Sequence, residues 1–317
     1  MVVKRTRTPA GKWSALLPPD SPLFEAGQTV LAARLHTVRE HLHPAAERAS
    51  ETIEHVHQLR VATRRAAAAL RVFRDLVPRK DARRTKALLR SIRRAAGEAR
   101  DWDVFAEILD ESTVLAEPTG QAAKDYLLGY ATGHRAVAQH LLQLVVAERT
   151  EQLAKTTIEL PIGLVEDDDA EPLGSLAEGA LTELFETFDA MLDSGPKTIA
   201  ELHQLRIDAK RIRYAMEIFA GCFAPPFRDV LYPAIEDLQS ILGTIQDGHV
   251  LTARLGDVRV WLRKTRPEVL GRLRPGLDGL TRESQRQVRS AKTAFRRWTG
   301  RWTGLCEQYP IAELGLQ

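Results

Sequence analysis

Apolar residues recur every three or four positions along most of the chain, which is the spacing of amphipathic α-helices. The strict alternation of apolar and polar residues that predicts β-strands is nearly absent. Pro and Gly lie mostly between the periodic segments, and Ser21 followed by Pro22 is typical of an N-cap and a first helical residue. The pattern therefore predicts an all-α protein. Helices are expected at 21–43, 50–77, 80–112, 119–159, 174–193, 197–221, 227–253, 256–273 and 277–308.

One segment of the chain occurs twice. Residues 57–73, HQLRVATRRAAAALRVF, are matched by residues 203–219, HQLRIDAKRIRYAMEIF, at an offset of 146 positions. The same offset relates further pairs: Arg60 and Arg206, Arg65 and Arg211, Phe73 and Phe219, Gly97 and Gly243, and Asp101 and Asp247. One offset shared by two helices and their connection indicates a duplicated unit. We therefore expect two pseudo-symmetric helical bundles, each a four-helix unit.

The segment LPIGLVEDDDAEPLG separates the two halves, because its Pro, Gly and acidic residues are typical of a linker. A chain of 317 residues also exceeds the usual size of one core. We expect a flexible tail at 1–20, a first bundle at 21–160, a linker at 161–173, and a second bundle with a C-terminal helix at 174–317. Close helix approach is the expected reason for Gly97 and Gly243, since glycine weakens a helix interior.

The net charge of +3 conceals a strong segregation of charge along the chain. Residues 57–100 carry +11, residues 101–202 carry −16, and residues 203–301 carry +9. Each basic block contains one copy of the repeat. A partner with negative charge is therefore favoured, or an internal contact with the acidic segment.

The repeated helix predicts one apolar and one basic face. On a helical wheel, Leu59, Ala62, Ala66, Leu70 and Phe73 lie opposite a stripe of His57, Arg60, Arg64 and Arg71 that Arg65 flanks. The second copy has Leu205, Ile212, Met216 and Phe219 on the apolar side, and His203, Arg206, Lys210 and Arg213 on the other. Like charges at this spacing disfavour a helix by about 0.2 to 0.5 kcal/mol per pair unless anions relieve them. Cations one helical turn apart, about 5.4 Å, suit a polymer of closely spaced phosphates.

Two other helices carry basic stripes that could enlarge this surface. The helix at 80–112 has Arg83, Lys86, Arg90, Arg93 and Arg94 on one side. The counterparts of Arg90, Arg93 and Arg94 in the second half are Glu236, Gln239 and Ser240, so the halves differ here. The last helix carries Arg282, Arg286, Arg289 and Arg296 as an expected extension, although a solvated surface explains that stripe equally well.

The motif HQLRVATRR with HQLRIDAKRIRY, followed by GEARDWDV and GTIQDGHV, resembles the CHAD family of histidine-bearing α-helical domains over roughly residues 22–300. The resemblance implies two pseudo-symmetric four-helix bundles that bind inorganic polyphosphate on a basic central surface. The anion contacts it implies are His57, Arg60, Arg64, Arg65, His203, Arg206, Lys210, Arg211 and Arg213, with Asp101 and Asp247 as acids that orient an arginine or simply cap a helix. The first copy departs from the motif at Ala67, where the second has Arg213, so the halves are not expected to contribute equally.

Other functions remain open on the residues alone. Basic helices also bind nucleic acid without sequence preference, and an arginine clamp could serve a phosphate-transferring or phosphate-hydrolysing enzyme. No P-loop, G-x-S-x-G or H-E-x-x-H motif occurs, so we expect a non-catalytic protein without cofactor. The clustered histidines lack the spacing and companions of a metal site. Two unpatterned cysteines, no signal peptide and no apolar run long enough to span a bilayer predict a cytoplasmic protein, on polyphosphate granules if that ligand is bound.

Overall fold

The computed structural model describes residues 11–13, 16–166, 171–310 and 313–314. Within them the chain is all-α, with no β-strand. Its helices are α1 (Leu23–Glu47), α2 (Glu54–Val72), α3 (Arg79–Glu111), α4 (Thr113–Ala116), α5 (Gln121–Ile162), α6 (Leu173–Asp193), α7 (Ile199–Phe219), α8 (Tyr232–Thr265) and α9 (Pro267–Gln308), with a π-helical turn at Phe227–Leu231 before α8.

The helices of each half pack on one another around apolar faces that the periodicity predicts. In the first half α1, α2, α3 and α5 pack together, and in the second half α6, α7, α8 and α9 follow one another in pairwise contact. The predicted apolar face of α2 is buried, as is that of α7, where Leu205, Ile212, Met216 and Phe219 are fully excluded from water. Burial of such side chains contributes about 1.5 to 3 kcal/mol each.

The two halves share their hydrophobic cores. The larger cluster of buried residues includes Leu59 of α2 and Leu205 of α7, and α2 packs directly against α7. A smaller cluster joins the end of α3 at Phe105 to α8 at Leu255 and to α9 at Leu277. The two copies of the repeated helix are therefore held together at one seam between the halves.

The helix boundaries of the second half differ from the prediction. We expected breaks near Gly256 and before 277, but α8 continues to Thr265 and α9 begins at Pro267. Pro267 is the first residue of α9. Proline is tolerated there because an N–H group at the first helical position has no acceptor within the helix. Packing in the smaller core cluster keeps the chain helical around Gly256 and Pro275, so tertiary contacts override local propensity here.

The start of α1 is also shifted by one residue. Pro22, not Ser21, is the N-cap, and the helix begins at Leu23. The Ser21 hydroxyl donates to the carbonyl oxygen of Pro18 at 2.7 Å instead of accepting from the first helical turn. The predicted Ser21 cap is therefore wrong, because a turn ahead of the helix takes up this side chain.

The prediction of close helix approach at Gly97 and Gly243 is wrong. A Cβ added at Gly97 would meet only the Arg60 guanidinium carbon at 3.9 Å, and one at Gly243 would meet nothing within 4 Å. Close approach occurs instead at Gly276 of α9, where an added Cβ would lie 2.5 Å from Cβ of Ala123. Glycines inside helices look alike in sequence, and only the neighbouring helix distinguishes them.

The predicted tail at 1–20 and linker at 161–173 fall partly outside the described residues, since 1–10, 14–15 and 167–170 are not among them. Residues 11–13 contact both halves of the molecule, since Arg34 of α1 donates to the carbonyl oxygens of Gly11 and Lys12 at 3.3 and 3.2 Å. Lys12 Nζ is 2.9 Å from Glu236 Oε2, and the Trp13 ring lies 4.7 Å from that of Tyr232. The boundaries 21–160 and 174–317 stay predictions.

Candidate functional site

A cleft of about 480 Å³ opens beside the seam between α2 and α7. Residues from α2, α3, α7 and α8 line it, so both halves form its walls. The lining residues are His57, Arg60, Val61, Arg64, Arg100, Asp101, Val104, Phe105, Ile108, His203, Arg206, Gln246, Asp247, Val250, Leu251 and Arg254.

Residues separated by the repeat offset of 146 positions face the same cleft. His57 and His203 both line it, as do Arg60 and Arg206. Five further lining pairs have this offset: Arg100 and Gln246, Asp101 and Asp247, Val104 and Val250, Phe105 and Leu251, and Ile108 and Arg254. The two copies of the motif therefore present their basic and acidic residues to one shared space.

Arg60 and its counterpart Arg206 differ in their partners. Arg60 Nη1 is 2.7 Å from Asp101 Oδ1. Arg206 Nε is buried and has no hydrogen-bond partner in the described part of the chain. Burial lowers the pKa of Arg206, an effect that Asp247 opposes and Arg60 reinforces. An oxyanion near Arg206 would relieve this unmet donor.

Arg64 and Lys210 lie on the seam between the copies. Burial lowers the pKa of Arg64, and the nearby Arg60 lowers it further. Burial, followed by Arg64, Arg206, Arg60 and Arg213, lowers the pKa of Lys210 to about 6. The cations at the seam therefore outnumber the carboxylates near them. Burial and this excess of positive charge favour the neutral form of the Lys210 amine in the free protein.

The two motif histidines border the same cleft. His203 Nδ1 lies 3.3 Å from Gln246 Oε1. Burial lowers the pKa of His57; Glu54 opposes this effect, while Arg100, Arg64 and Arg60 add to it. His57 is therefore neutral near pH 7 in the free protein, and a bound anion would favour its imidazolium form.

The acids of the motif also line the cleft. Burial raises the pKa of Asp247, and the negative charge of Asp101 raises it further, whereas Arg206, Lys210 and Arg60 act in the opposite direction. Of these two acids, Asp101 forms a direct ion pair with an arginine within 4 Å, and Asp247 forms none with the described residues. We predicted that both acids orient an arginine. Asp101 contacts Arg60 directly, whereas Asp247 interacts with Arg206 only at longer range.

Two predicted anion contacts are held by an internal carboxylate instead of lining the cleft. Arg65 Nε and Nη2 lie 2.7 and 3.1 Å from the oxygens of Glu217, a residue only 1% exposed. Arg213 Nε is 3.8 Å from Glu217 Oε1, and Tyr232 donates its hydroxyl to the same oxygen at 2.9 Å. Arg65 is thus hydrogen-bonded to this anion, whereas Arg213 lies within ion-pair distance of it without a hydrogen bond at Nε among the described residues.

The remaining predicted cations lie outside the cleft. Arg211 Nη1 is 2.8 Å from Asp208 Oδ1. On α3, Arg93 is half-buried within electrostatic range of Arg90 and Arg60. Lys86, Arg90 and Arg94 are exposed on α3, and Arg282, Arg286, Arg289 and Arg296 are exposed on α9. The extension along α9 stays a prediction.

Two arginines of the cleft were missed by the sequence analysis. Arg254 of α8 lies with its guanidinium carbon 4.1 Å from the centre of the Trp102 ring and donates to the Asp101 carbonyl oxygen at 2.8 Å. Its counterpart in the first copy is Ile108, so comparison of the copies could not find it. Arg100 directly precedes Asp101 in the segment GEARDWDV. Its place beside a motif acid could have identified it as a residue of the cleft.

Two classes of site have no support in the described segments. No group of three or more His, Cys, Asp or Glu side chains there could hold a metal ion. None of the helices is long and apolar enough to cross a bilayer.

Comparison with known structures supports the fold. The crystal structure of the CHAD domain from the plant Ricinus communis superimposes with a TM-score of 0.68 at 19% identity, covering 93% of this chain and 97% of that chain. PptA from Streptomyces chartreusis superimposes with a TM-score of 0.61 at 18% identity, covering 88% and 99%. Because the sequence identities are low, these two similarities show the fold alone.

Comparison of sequences identifies the family. No curated protein matches the chain. The sequence profile of the CHAD domain family matches residues 29–256. This range includes both copies of the motif and all of the cleft-lining residues. The chain therefore belongs to the CHAD domain family.

Proposed function

We propose that the protein binds inorganic polyphosphate, without catalysis, in the cleft between α2 and α7. The observation that carries the proposal is the cluster of Arg60, Arg64, Arg206 and Lys210 at the seam between the copies. Burial, together with the positive charges of the neighbouring arginines, lowers the pKa of Lys210 there to about 6. A chain of phosphates supplies closely spaced negative charges that a single carboxylate cannot. Membership of the CHAD family, whose domains bind polyphosphate, supports the same ligand.

Nucleic acid is the competing ligand, because its backbone carries similar charge. Proteins that bind single strands without sequence preference add aromatic side chains on which bases stack. The aromatic residue lining the cleft is Phe105, which is only 2% exposed and packs in the core. The cleft thus offers phosphate contacts without a stacking surface, which favours polyphosphate over DNA or RNA.

Competition binding tests the proposal. Long-chain polyphosphate, single-stranded DNA, RNA and heparin compete with one labelled polyphosphate probe at equal charge concentration and fixed salt. We expect polyphosphate to displace the probe at the lowest concentration and no orthophosphate to be released. Equal displacement by DNA would favour the nucleic-acid function, and release of orthophosphate would favour an enzyme.

A pair of charge-matched variants locates the site. Combined replacement of Arg60, Arg64 and Arg206 by Ala removes three cleft cations, and the control replaces the exposed Arg263, Arg272 and Arg274. We expect the cleft variant to lose polyphosphate binding and the control to keep it. Equal losses would show that overall charge, not the cleft, holds the ligand.

We also propose that the protein acts in the cytoplasm, on polyphosphate granules. Both cysteines, Cys222 and Cys306, are free, which suits a reducing compartment. A fluorescently tagged chain should overlap with stained granules, and the triple cleft variant should lose the overlap.

A further inference from the structure

Two sets of residues flank the cleft and are related by the repeat offset of 146 positions. The two sets differ in the charge of their side chains. We define the first flank as Arg71, Arg90, Arg93 and Arg211. The second flank is the set of residues at the offset: Glu217, Glu236, Gln239 and Arg65. Four arginines on one side thus correspond to two acids, one amide and one arginine on the other.

The second flank is neutralised internally. The bidentate contact of Arg65 with Glu217 joins α2 to α7, and Arg34 of α1 and Arg213 of α7 also lie within 4 Å of the same carboxylate. Glu217 is buried among these three arginines. Any phosphate that reached Arg65 would have to displace this carboxylate.

The second flank is also covered. Lys12 Nζ is 2.9 Å from Glu236 and 4.2 Å from the centre of the Tyr232 ring, and Trp13 packs on the same ring. Gln239 is 9% exposed and donates to the carbonyl oxygen of Ala209 at 2.9 Å. Residues 11–13 therefore lie over the acids of this flank.

The first flank is open and carries excess positive charge. Arg71 and Arg90 are exposed, and the side chain of Arg211 is 45% exposed. Partial burial lowers the pKa of Arg71, and Arg211 and Arg93 lower it further, which places these cations near one another. Within the described part of the chain, the one carboxylate paired with the flank is Asp208, held by Arg211. Arg93 in turn lies in range of Arg60, which lines the cleft.

We propose that a polyphosphate chain bound in the cleft leaves it over the first flank alone, across Arg93, Arg71 and Arg211, while Glu217 closes the second flank. This inference rests on the proposed function. Glu217 is then the residue that determines direction, because the corresponding position in the first copy is Arg71. The cleft holds a short run of phosphates, and the first flank adds contacts that only longer chains can reach.

Replacement of Arg71 tests the inference, with Arg74, three residues further along the chain, as the matched control. Arg74 is 72% exposed and lies 3.5 Å from Asp75, outside both flanks. Binding of long-chain polyphosphate and of tripolyphosphate is measured for the wild type, Arg71→Ala and Arg74→Ala at several salt concentrations. Circular dichroism checks that helicity is unchanged.

We expect Arg71→Ala to weaken long-chain binding several-fold and to leave tripolyphosphate binding unchanged. The slope of log K against log salt should lose about 0.7 for each phosphate contact removed, if the chain behaves as a single strand. Arg71→Glu, which would build an acid–Arg211 pair like that of the second flank, should weaken long-chain binding further. Arg74→Ala should change neither ligand.

Two results would overturn the inference while the proposed function stands. One is an equal loss for Arg71→Ala and Arg74→Ala, and the other is a loss with tripolyphosphate as large as that with the long chain. If the wild type binds neither polyphosphate, the proposed function fails first and the inference fails with it.

Discussion

Arg60 of α2 and Asp101 of α3 form an ion pair inside the cleft, with Arg60 Nη1 2.7 Å from Asp101 Oδ1. Their counterparts Arg206 and Asp247 interact only at longer range. The carboxylate has two opposing effects on an anionic ligand, because it orients the guanidinium and also neutralises it. A pair of substitutions at Asp101 can separate these effects.

We expect Asp101→Ala to bind polyphosphate more weakly than Asp101→Asn. Both substitutions remove the negative charge, but the Asn side chain still accepts a hydrogen bond from Arg60. A hydrogen bond of about 1 kcal/mol corresponds to about a fivefold difference in affinity. Fluorescence anisotropy with labelled polyphosphate measures it. Equal affinities would mean that Asp101 does not orient Arg60.

Polyphosphate binding should take up protons through Lys210. Its pKa of about 6 in the free protein leaves the amine neutral at pH 7.5, and nearby phosphates would restore the charged form. Affinity should therefore rise as the pH falls from 8 towards 6. Calorimetry in buffers of different ionisation enthalpy measures the uptake, which Lys210→Met should reduce and the exposed control Lys80→Met should not. Identical uptake in both variants would contradict this role.

The same group predicts how stability depends on pH without ligand. The pKa of Lys210 is depressed on folding from 10.5 to about 6, so the unfolded chain binds more protons between these values. Stability from this group therefore rises with pH across that window, and it falls as the pH is lowered towards 6. Urea unfolding of the wild type and Lys210→Met at several pH values measures the contribution. The variant should show a weaker rise, and an unchanged dependence would count against the depressed pKa.

Removal of the Glu217 charge should destabilise the fold strongly. Glu217→Gln leaves Arg65 and its neighbours without their buried anion, and loss of one partner of a buried pair costs about 3 to 5 kcal/mol. Glu236, whose side chain is 36% exposed, is the control, and Glu236→Gln should cost about 1 kcal/mol or less. Urea denaturation measures both. Similar small losses in both variants would show that Glu217 is dispensable.

The glycines of α9 should respond in opposite directions to alanine. Gly276→Ala would push a Cβ against Ala123 and Gly120 and should destabilise the protein by about 1 to 3 kcal/mol. Gly300 meets nothing within 4 Å, so Gly300→Ala should stabilise α9 by up to about 1 kcal/mol. Thermal unfolding compares the two variants. Stabilisation by both would contradict the close packing of α9 on α5.

The periodicity of the chain was sufficient for the all-α fold and for the faces of α2 and α7. The apolar positions Leu59 and Leu205 are fully buried as predicted, because a helix of 3.6 residues per turn separates its faces by local geometry alone. The break between α8 and α9 was misplaced, because packing around Gly256 outweighed a local signal. Arg254 escaped notice because its counterpart in the first copy is the apolar Ile108.

The sequence by itself determined that the chain is helical, that one basic helix occurs twice, and which residue types lie on its polar face. Only the tertiary structure decided which cations face the cleft and which are paired with an internal carboxylate. Arg60 and Arg206 line the cleft, whereas Arg65 is neutralised by Glu217, 152 residues away along the chain. Helical periodicity is a local property, but the partner of a charge depends on how distant helices pack.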